Sequence, residues 1–276
     1  MNKKLLEPNL PRGFEDSVGQ SLIIEKKIKS IIEENFIKYG YQEIKTSPFE
    51  YSDNIGAFLA DNLNNESSDI FTFDDKDKKI SLRYDLSAPL SRFVSSKYLD
   101  LAFPFRRFQI AEVFRNETSK TGRGRYRSFV QADFDQIFYG KVPSQANAEI
   151  CQIIQDILLQ MQLKKDQFKI NIFNRKIVEG LLDELKIIDK TQRFKVLRSI
   201  DKFDRIDENF EDLLKKERVD PISGDKIVGA NLSNDQVSSI LDFLKTKDLE
   251  NLKSKFKNNL QKEGFNELDE ILEILS

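Results

Sequence analysis

The chain has 276 residues, 39% of them hydrophobic and 33% charged, with 44 Lys and Arg against 46 Asp and Glu for a formal net charge of -2. That is enough apolar material for the core of one large domain or two ordinary ones, while the near-neutral balance leaves any binding of nucleic acid or phosphate to a local patch. Histidine is absent and there is one cysteine, which excludes imidazole bases and metal ligands, Ser-His and Cys-His nucleophiles, an intramolecular disulfide framework and a cysteine-bound zinc.

The opening MNKKLLEPNLPRGFED has no sustained apolar run, and no later stretch is long and apolar enough to span a bilayer, so the cytosol is the expected location. Leu22, Ile23, Ile28, Ile31, Ile32 and Phe36 recur at helical spacing and Gly40 follows as a C-cap. YQEIKTSPFE, residues 41–50, reads as extended, with Pro48 at a strand edge or end. DIFTFDDKDKKISLRYDLSA, residues 69–88, reads as two short strands around an Asp/Lys turn, then a helix from about Ser87. RRFQIAEVFRNE and RYRSFVQADFDQIF are two longer strands, and together these segments predict an antiparallel sheet.

A helix is expected from about Ser144 to Leu163. It contains Cys151, which reads as a buried core thiol suited to a reducing compartment. A short strand, FKINIF, and a helix after Asn174 follow. From about Asp189 the pattern changes to helices between polar loops, with a Pro-Gly turn at PISGDK, and the Lys- and Glu-rich closing helices read as solvated faces. The expected division is a core over residues 1–188 and a helical region over 189–276.

FRNETSKTGRGRYRSFVQADFD, residues 114–135, places Arg115, Arg123, Arg125 and Arg127 around a glycine-bearing loop between the two long strands. A loop that only reversed the chain needs no such cluster, and guanidinium forks suit phosphate oxygens and the charge that develops at a reacting phosphorus. Strand alternation puts Arg127, Phe129, Gln131, Asp133 and Asp135 on one face, with Tyr126, Ser128, Val130, Ala132 and Phe134 on the core side. Gln131, Asp133 and Asp135, farther from the loop, suit a cationic amino group or a donor-bearing ring. A sheet surface whose charges pair with one another and with water is an equally open reading of the pattern alone.

The same residues resemble motif 2 of the class II aminoacyl-tRNA synthetases, and the variant GRYRSFVQADFD resembles the histidyl-tRNA synthetase family within that class. PRGFED, EIKTSPFEYSD with its motif 1-like Pro48, LRYDLSAPLSR, PFRRFQIAEVFRNE, NIFNRKIVEGLL and VLRSIDKFDRI occur in the family's order, from about Leu10 to Leu244. The resemblance implies an α+β fold, an antiparallel sheet flanked by helices with a helical insertion over 189–276. It also implies a histidine-tRNA ligase that uses ATP with Mg²⁺ to form histidyl-adenylate and then charges tRNA(His).

By the same resemblance Arg115 is the catalytic residue on the α-phosphate, Arg125 holds the outer phosphates, Glu117 the adenine side, and Phe129 stacks on the base. Asp85, Ser87 and Gln131 receive the α-amino group of histidine, and Asp135 reads the imidazole. Lys120, Arg123 and Arg127 are candidates for phosphate or the tRNA acceptor end, a structural role being equally open, and Asp133 is expected to be a paired structural carboxylate. No protein-held metal is assigned, and in-line attack at phosphorus needs positioning and charge stabilisation more than a strong base. Pro48 lies near the surface through which the family forms homodimers.

Neither motif 3 nor an anticodon-binding domain is found before Ser276, so the expectation is an N-terminal portion that activates histidine poorly in isolation. The alternative is the non-catalytic, synthetase-like regulatory subunit of ATP phosphoribosyltransferase. The retained Arg115, Glu117, Arg125 and Phe129 argue against it, since a regulator need not keep an ATP site.

Overall fold

The computed structural model describes residues 7–56, 70–116, 126–200, 203, 210–215, 218–219, 226–227, 229–246 and 248–276. Helix α1 (Gln20–Lys38) follows the apolar spacing and stops at Gly40, whose φ of +76° suits a residue without a Cβ. The Gly40 amide donates to Ile37 O and the Tyr41 amide to Phe36 O, both at 2.9 Å. This pair of bonds satisfies carbonyls left over at the helix end and seats Tyr41 against Phe36, their ring centres 6.2 Å apart.

The expected extended segment over 41–50 divides into two strands of different sheets. Strand β1 (Gln42–Glu43) and strand β2 (Phe49–Tyr51) flank Pro48, which has no amide to give to a ladder; its carbonyl accepts from Arg83 N at 2.9 Å. After the short α2 (Ser52–Gly56), β3 (Thr72–Asp75) and β4 (Lys78–Leu82) form a hairpin around the Asp/Lys turn, and β2 joins them in the order β2-β4-β3. Helix α3 (Ser87–Lys97) begins at the expected serine.

The long strands are β5 (Phe105–Phe114) and β6 (Ser128–Ile137), antiparallel through ten paired positions from Phe105↔Ile137 to Phe114↔Ser128. β1 adds in parallel to the other side of β5. Helix α4 (Ser144–Gln160) and α1 cover one face of this sheet. There Phe36 packs its ring 5.2 Å from that of Phe108 and 4.6 Å from that of Phe134, and Ile153 and Ile157 close the cluster. Such aromatic contacts add about 0.5–1.5 kcal/mol each to the burial itself. At one end of the opposite face, Leu90 and Phe93 of α3 pack with Phe105, Ile137 and Ile44.

The chain divides into two compact units, Met1–Lys169 and Ile170–Ser276. Residues 168–173, expected as a strand, are not one: no ladder partner runs beside them among the described residues, and a strand is defined by that pairing. Helix α5 (Arg175–Glu184) is capped by Asn174, whose side chain accepts from Lys176 N at 3.0 Å. Its apolar face joins the core of the second unit, so the compact units divide ahead of the 188/189 line drawn from the sequence.

Helices α6 (Lys190–Ile200) and α7 (Phe210–Lys215) follow, then the two-residue strands β7 (Arg218–Val219) and β8 (Lys226–Ile227), paired antiparallel. Most of the PISGDK turn lies outside the described residues. Helices α8 (Asn234–Lys245), α9 (Leu249–Lys255) and α10 (Asn259–Leu275) complete the unit. Val178, Leu182, Val196, Leu214 and Ile240 form its core. α5 and α10 meet closely at Gly180 and Gly264, where a Cβ would stand 2.5 Å from Gln261 Cγ and 2.9 Å from Ile177 Cγ1 respectively. No helix among the described residues is long and apolar enough to cross a membrane.

Candidate active site

Cross-strand register decides which side chains share the sheet face opposite α1 and α4. Opposite residues in an antiparallel pair point the same way, so Arg107↔Asp135, Gln109↔Asp133, Ala111↔Gln131 and Val113↔Phe129 lie in four successive rows. The odd-numbered positions of β6 do share a face. That face opposes the aromatic cluster to which Phe134 and Phe108 belong.

At the loop end of the face, the Arg115 amide donates to Arg127 O at 2.9 Å, which continues the ladder one step beyond β5. The Arg115 guanidinium carbon lies 4.4 Å from the ring centre of Tyr84 and 5.0 Å from that of Phe129, and Nε donates to Tyr84 O at 3.3 Å. Two aromatic faces and a carbonyl therefore orient one cation. The segment before α3 is tied to the same end of β5: Phe114 N donates to Arg83 O at 3.0 Å, and buried Arg83 donates through Nε to Glu112 O at 2.6 Å.

That tie sets Tyr84, the residue before Asp85, against Arg115. Asp85 Oδ1 accepts from Ser87 N at 3.1 Å and Ala88 N at 3.0 Å, closing the first turn of α3. The Ser87 residue is exposed. Arg127, just before β6, is tied to the N-terminal segment, its amide donating to Gly13 O at 2.7 Å and its guanidinium carbon 5.9 Å from the Phe71 ring centre. Glu117, Lys120, Arg123 and Arg125 lie outside the described residues.

The far end of the face holds an arginine that sequence patterning did not single out. Arg107 is completely buried, and its Nη2 donates to Asp133 Oδ2 at 2.6 Å and to Asp135 Oδ2. Burial pushes the Asp135 carboxyl above the usual range; the Arg107 charge opposes that, and the Asp133 charge adds to it. Asp133 is thus a paired carboxylate, as expected, and Asp135 shares the same partner. Gln109 lies beside them, buried, its Oε1 accepting from Thr46 Oγ1 at 3.0 Å.

A sequence signal for Arg107 existed. In FRRFQIAEV, alternation sets Arg107 in line with inward-facing Phe105, Gln109 and Val113, a place where a charge needs a partner. The partner's identity needed the register. Tyr84 was hidden for a different reason, since it belongs to the turn before α3 and meets Arg115 where Arg83 ties that turn to the end of β5.

A family model described as histidyl-tRNA synthetase matches residues 13–223. Among curated proteins, the chain is 52% identical to a histidine–tRNA ligase of Pelagibacter ubique over 281 residues, covering 100% of this chain and 59% of that protein. It is 37% identical to a histidine–tRNA ligase of Brucella ovis over 243 residues, 86% of this chain and 47% of the relative. The chain therefore spans between about half and three-fifths of these relatives' lengths. Among solved structures, a histidyl-tRNA synthetase from a Nostoc species is similar with a TM-score of 0.76 at 22% identity, over 98% of this chain and 58% of that one. A protein from Bacillus halodurans, described as an ATP phosphoribosyltransferase regulatory subunit/histidyl-tRNA synthetase, is similar at 0.74 and 22%, over 99% and 65%. At that identity both speak for the fold, an α+β fold of the class II synthetase type.

Proposed function

The chain belongs to the histidyl-tRNA synthetase family, and from that membership we propose that the protein acts as a histidine-tRNA ligase. Histidine and ATP form histidyl-adenylate with release of pyrophosphate, and the histidyl group then passes to tRNA(His). The observation that carries this reading is the 52% identity to a histidine–tRNA ligase along the whole chain. No observation of comparable weight favours the regulatory alternative.

In the first step a carboxylate oxygen of histidine attacks the α-phosphorus, a P–O bond forms, and the bond to the departing pyrophosphate breaks. The carboxylate is already ionised at neutral pH, so the step needs no general base, which suits a chain without histidine. Arg115, fixed between Tyr84 and Phe129, is the catalytic residue: its guanidinium fork meets the α-phosphate oxygens as negative charge builds on them. Phe129 stacks on the adenine, with Glu117 and Arg125 on the adenine side and the outer phosphates. Mg²⁺ enters with ATP as its counter-ion.

Histidine lies along the rows toward Asp135. Gln131, Asp85 and Ser87 receive the α-amino group, Asp85 while one of its oxygens caps α3, and the Asp135 carboxylate accepts from the imidazole. Arg127, Arg123 and Lys120 are candidates for the acceptor end of tRNA or for phosphate, a structural role being equally open. The working form is a cytoplasmic homodimer. The functional division is a core over 1–188 and an insertion over 189–276.

Histidine-dependent exchange of radioactive pyrophosphate into ATP, run on the protein expressed from its own gene, tests the reading. Exchange that requires histidine and is lost in Arg115→Ala supports it. ATP binding indifferent to Arg115→Ala, with no exchange in the parent, would favour a regulator; the ligase reading expects a loss of about 1.5–3 kcal/mol of binding for one charged hydrogen-bonding group.

A further inference from the structure

Among the described residues, Arg107 is the one side chain of the sheet face that reaches two carboxylates at once, and it does so with no exposure of its own. Asp133 and Asp135 sit two residues apart on the same face of β6, so their charges would repel across a short gap; a guanidinium beneath both removes that repulsion. The pairing is unequal with respect to solvent. Arg107 is 0% exposed, the Asp133 side chain 21% and the Asp135 side chain 37%. The cation is the floor, and Asp135 is the rim.

The arginine's other donors are poorly used. Its Nε is buried with no partner among the described residues, and Nη1 reaches Asp133 O only at 3.5 Å. A guanidinium placed for fold stability alone would be expected to spend its five donors more completely, because an unmet buried N–H costs about 1–3 kcal/mol. Two carboxylates on one guanidinium also leave one negative charge in excess, and the more exposed carboxylate, Asp135, offers it outward.

We propose that Arg107 is a positioning residue for substrate selection: from the neighbouring strand it fixes the orientation and charge of Asp135, so that the sheet face presents an acceptor-only carboxylate to the side chain of the amino acid. This rests on the assignment of Asp135 to the imidazole. An ionised carboxylate accepts and cannot donate, so it demands an N–H donor from the bound ring and rejects side chains of similar size that lack one. Burial alone would drive the Asp135 carboxyl toward its protonated form, which could donate and would discriminate less; the guanidinium beneath it works against that drift.

Pyrophosphate exchange on the protein expressed from its own gene separates this from a purely structural role. In Arg107→Met, shown to be folded by its thermal melt, the KM for histidine is expected to rise about tenfold or more while the KM for ATP stays within about twofold. Arg107→Lys keeps a charge but loses the fork, and is expected to raise the histidine KM about threefold or more, less than Met does. If the Met variant does not fold, the Lys variant decides alone. A histidine KM within about twofold of the parent in a folded variant overturns the proposal, as does an equal rise in both KM values. Asp135→Asn distinguishes the two levels. If it leaves the histidine KM unmoved, the assignment of Asp135 has failed and the proposal with it; if it raises that KM while Arg107→Met does not, only the role of Arg107 has failed.

Discussion

Arg115 lies with its guanidinium carbon 4.4 Å above the Tyr84 ring while its Nε donates to the carbonyl oxygen of that same tyrosine. One residue thus supplies both a stacking surface and a hydrogen-bond anchor, and Phe129 closes the other approach. Tyr84→Ala removes the surface but leaves the carbonyl. The KM for ATP in pyrophosphate exchange should rise about three- to thirtyfold, the span of a cation–π contact between exposed and desolvated settings. Tyr84→Phe keeps a ring and should lose less than Ala. Equal losses in the two variants would mean that the ring is not what holds Arg115.

Gly13 has φ of +84° and its carbonyl anchors Arg127, the residue just before β6, while a Cβ there would stand 2.8 Å from Arg127 Cγ. Gly140 has φ of +92° with open space around it. Gly140→Ala therefore carries only the backbone penalty, about 1–2 kcal/mol, whereas Gly13→Ala adds a clash worth about another 1 kcal/mol or more. Chemical denaturation of the two variants side by side measures the difference. Equal midpoints would show that Arg127 yields freely.

In the second unit, Gln261 is fully buried and neither its amide nitrogen nor its oxygen has a partner among the described residues. Gln261→Met, close in volume, should be neutral or should stabilise by up to about 2 kcal/mol, because two unmet polar atoms are replaced by apolar ones. Gly180→Ala at the same contact should destabilise by about 1–3 kcal/mol, since its Cβ would also approach the Gln261 backbone nitrogen at 3.0 Å. Urea unfolding checks both signs.

Tyr39 OH donates to Asp156 Oδ2 at 2.8 Å between α1 and α4. Burial, with that bond and the Asp156 charge, pushes the Tyr39 hydroxyl up to about 12. Burial also presses the Asp156 carboxyl upward, but bonds from Tyr39 and Gln152 and the charge of Lys38 outweigh it and hold the carboxyl below its usual range. The depressed acid favours the fold above its ordinary pKa of about 3.9 and loses that contribution as pH falls through the lower folded value. The raised phenol favours the fold below about 10 and loses its contribution as pH climbs toward 12. Asp156→Asn should flatten both limbs of a stability-against-pH profile, and Tyr39→Phe should remove the alkaline limb; unchanged limbs in both would remove the pair from the pH response.

Much of this architecture could be read from periodicity. The helical spacing before Gly40, the Asp/Lys turn between β3 and β4, the start of α3 at Ser87 and the alternation along β6 all appear where local pattern sets them, because each depends on neighbours within a few residues. The strand expected at 168–173 did not form, since a strand needs a partner that pattern alone does not supply. The division of 41–50 between two sheets was hidden for the same reason.

Local spacing and the order of motifs along the chain set α1, α3, α4 and α5, the two long strands, the polar face of β6 and the family. That Arg107 lies beneath Asp133 and Asp135 and that Tyr84 backs Arg115 follows from the folded arrangement alone. Those relations run between strands and through a turn, where register and chain crossing set the distances, and a charge buried at a distance from its partner in sequence finds that partner only once the chain is folded.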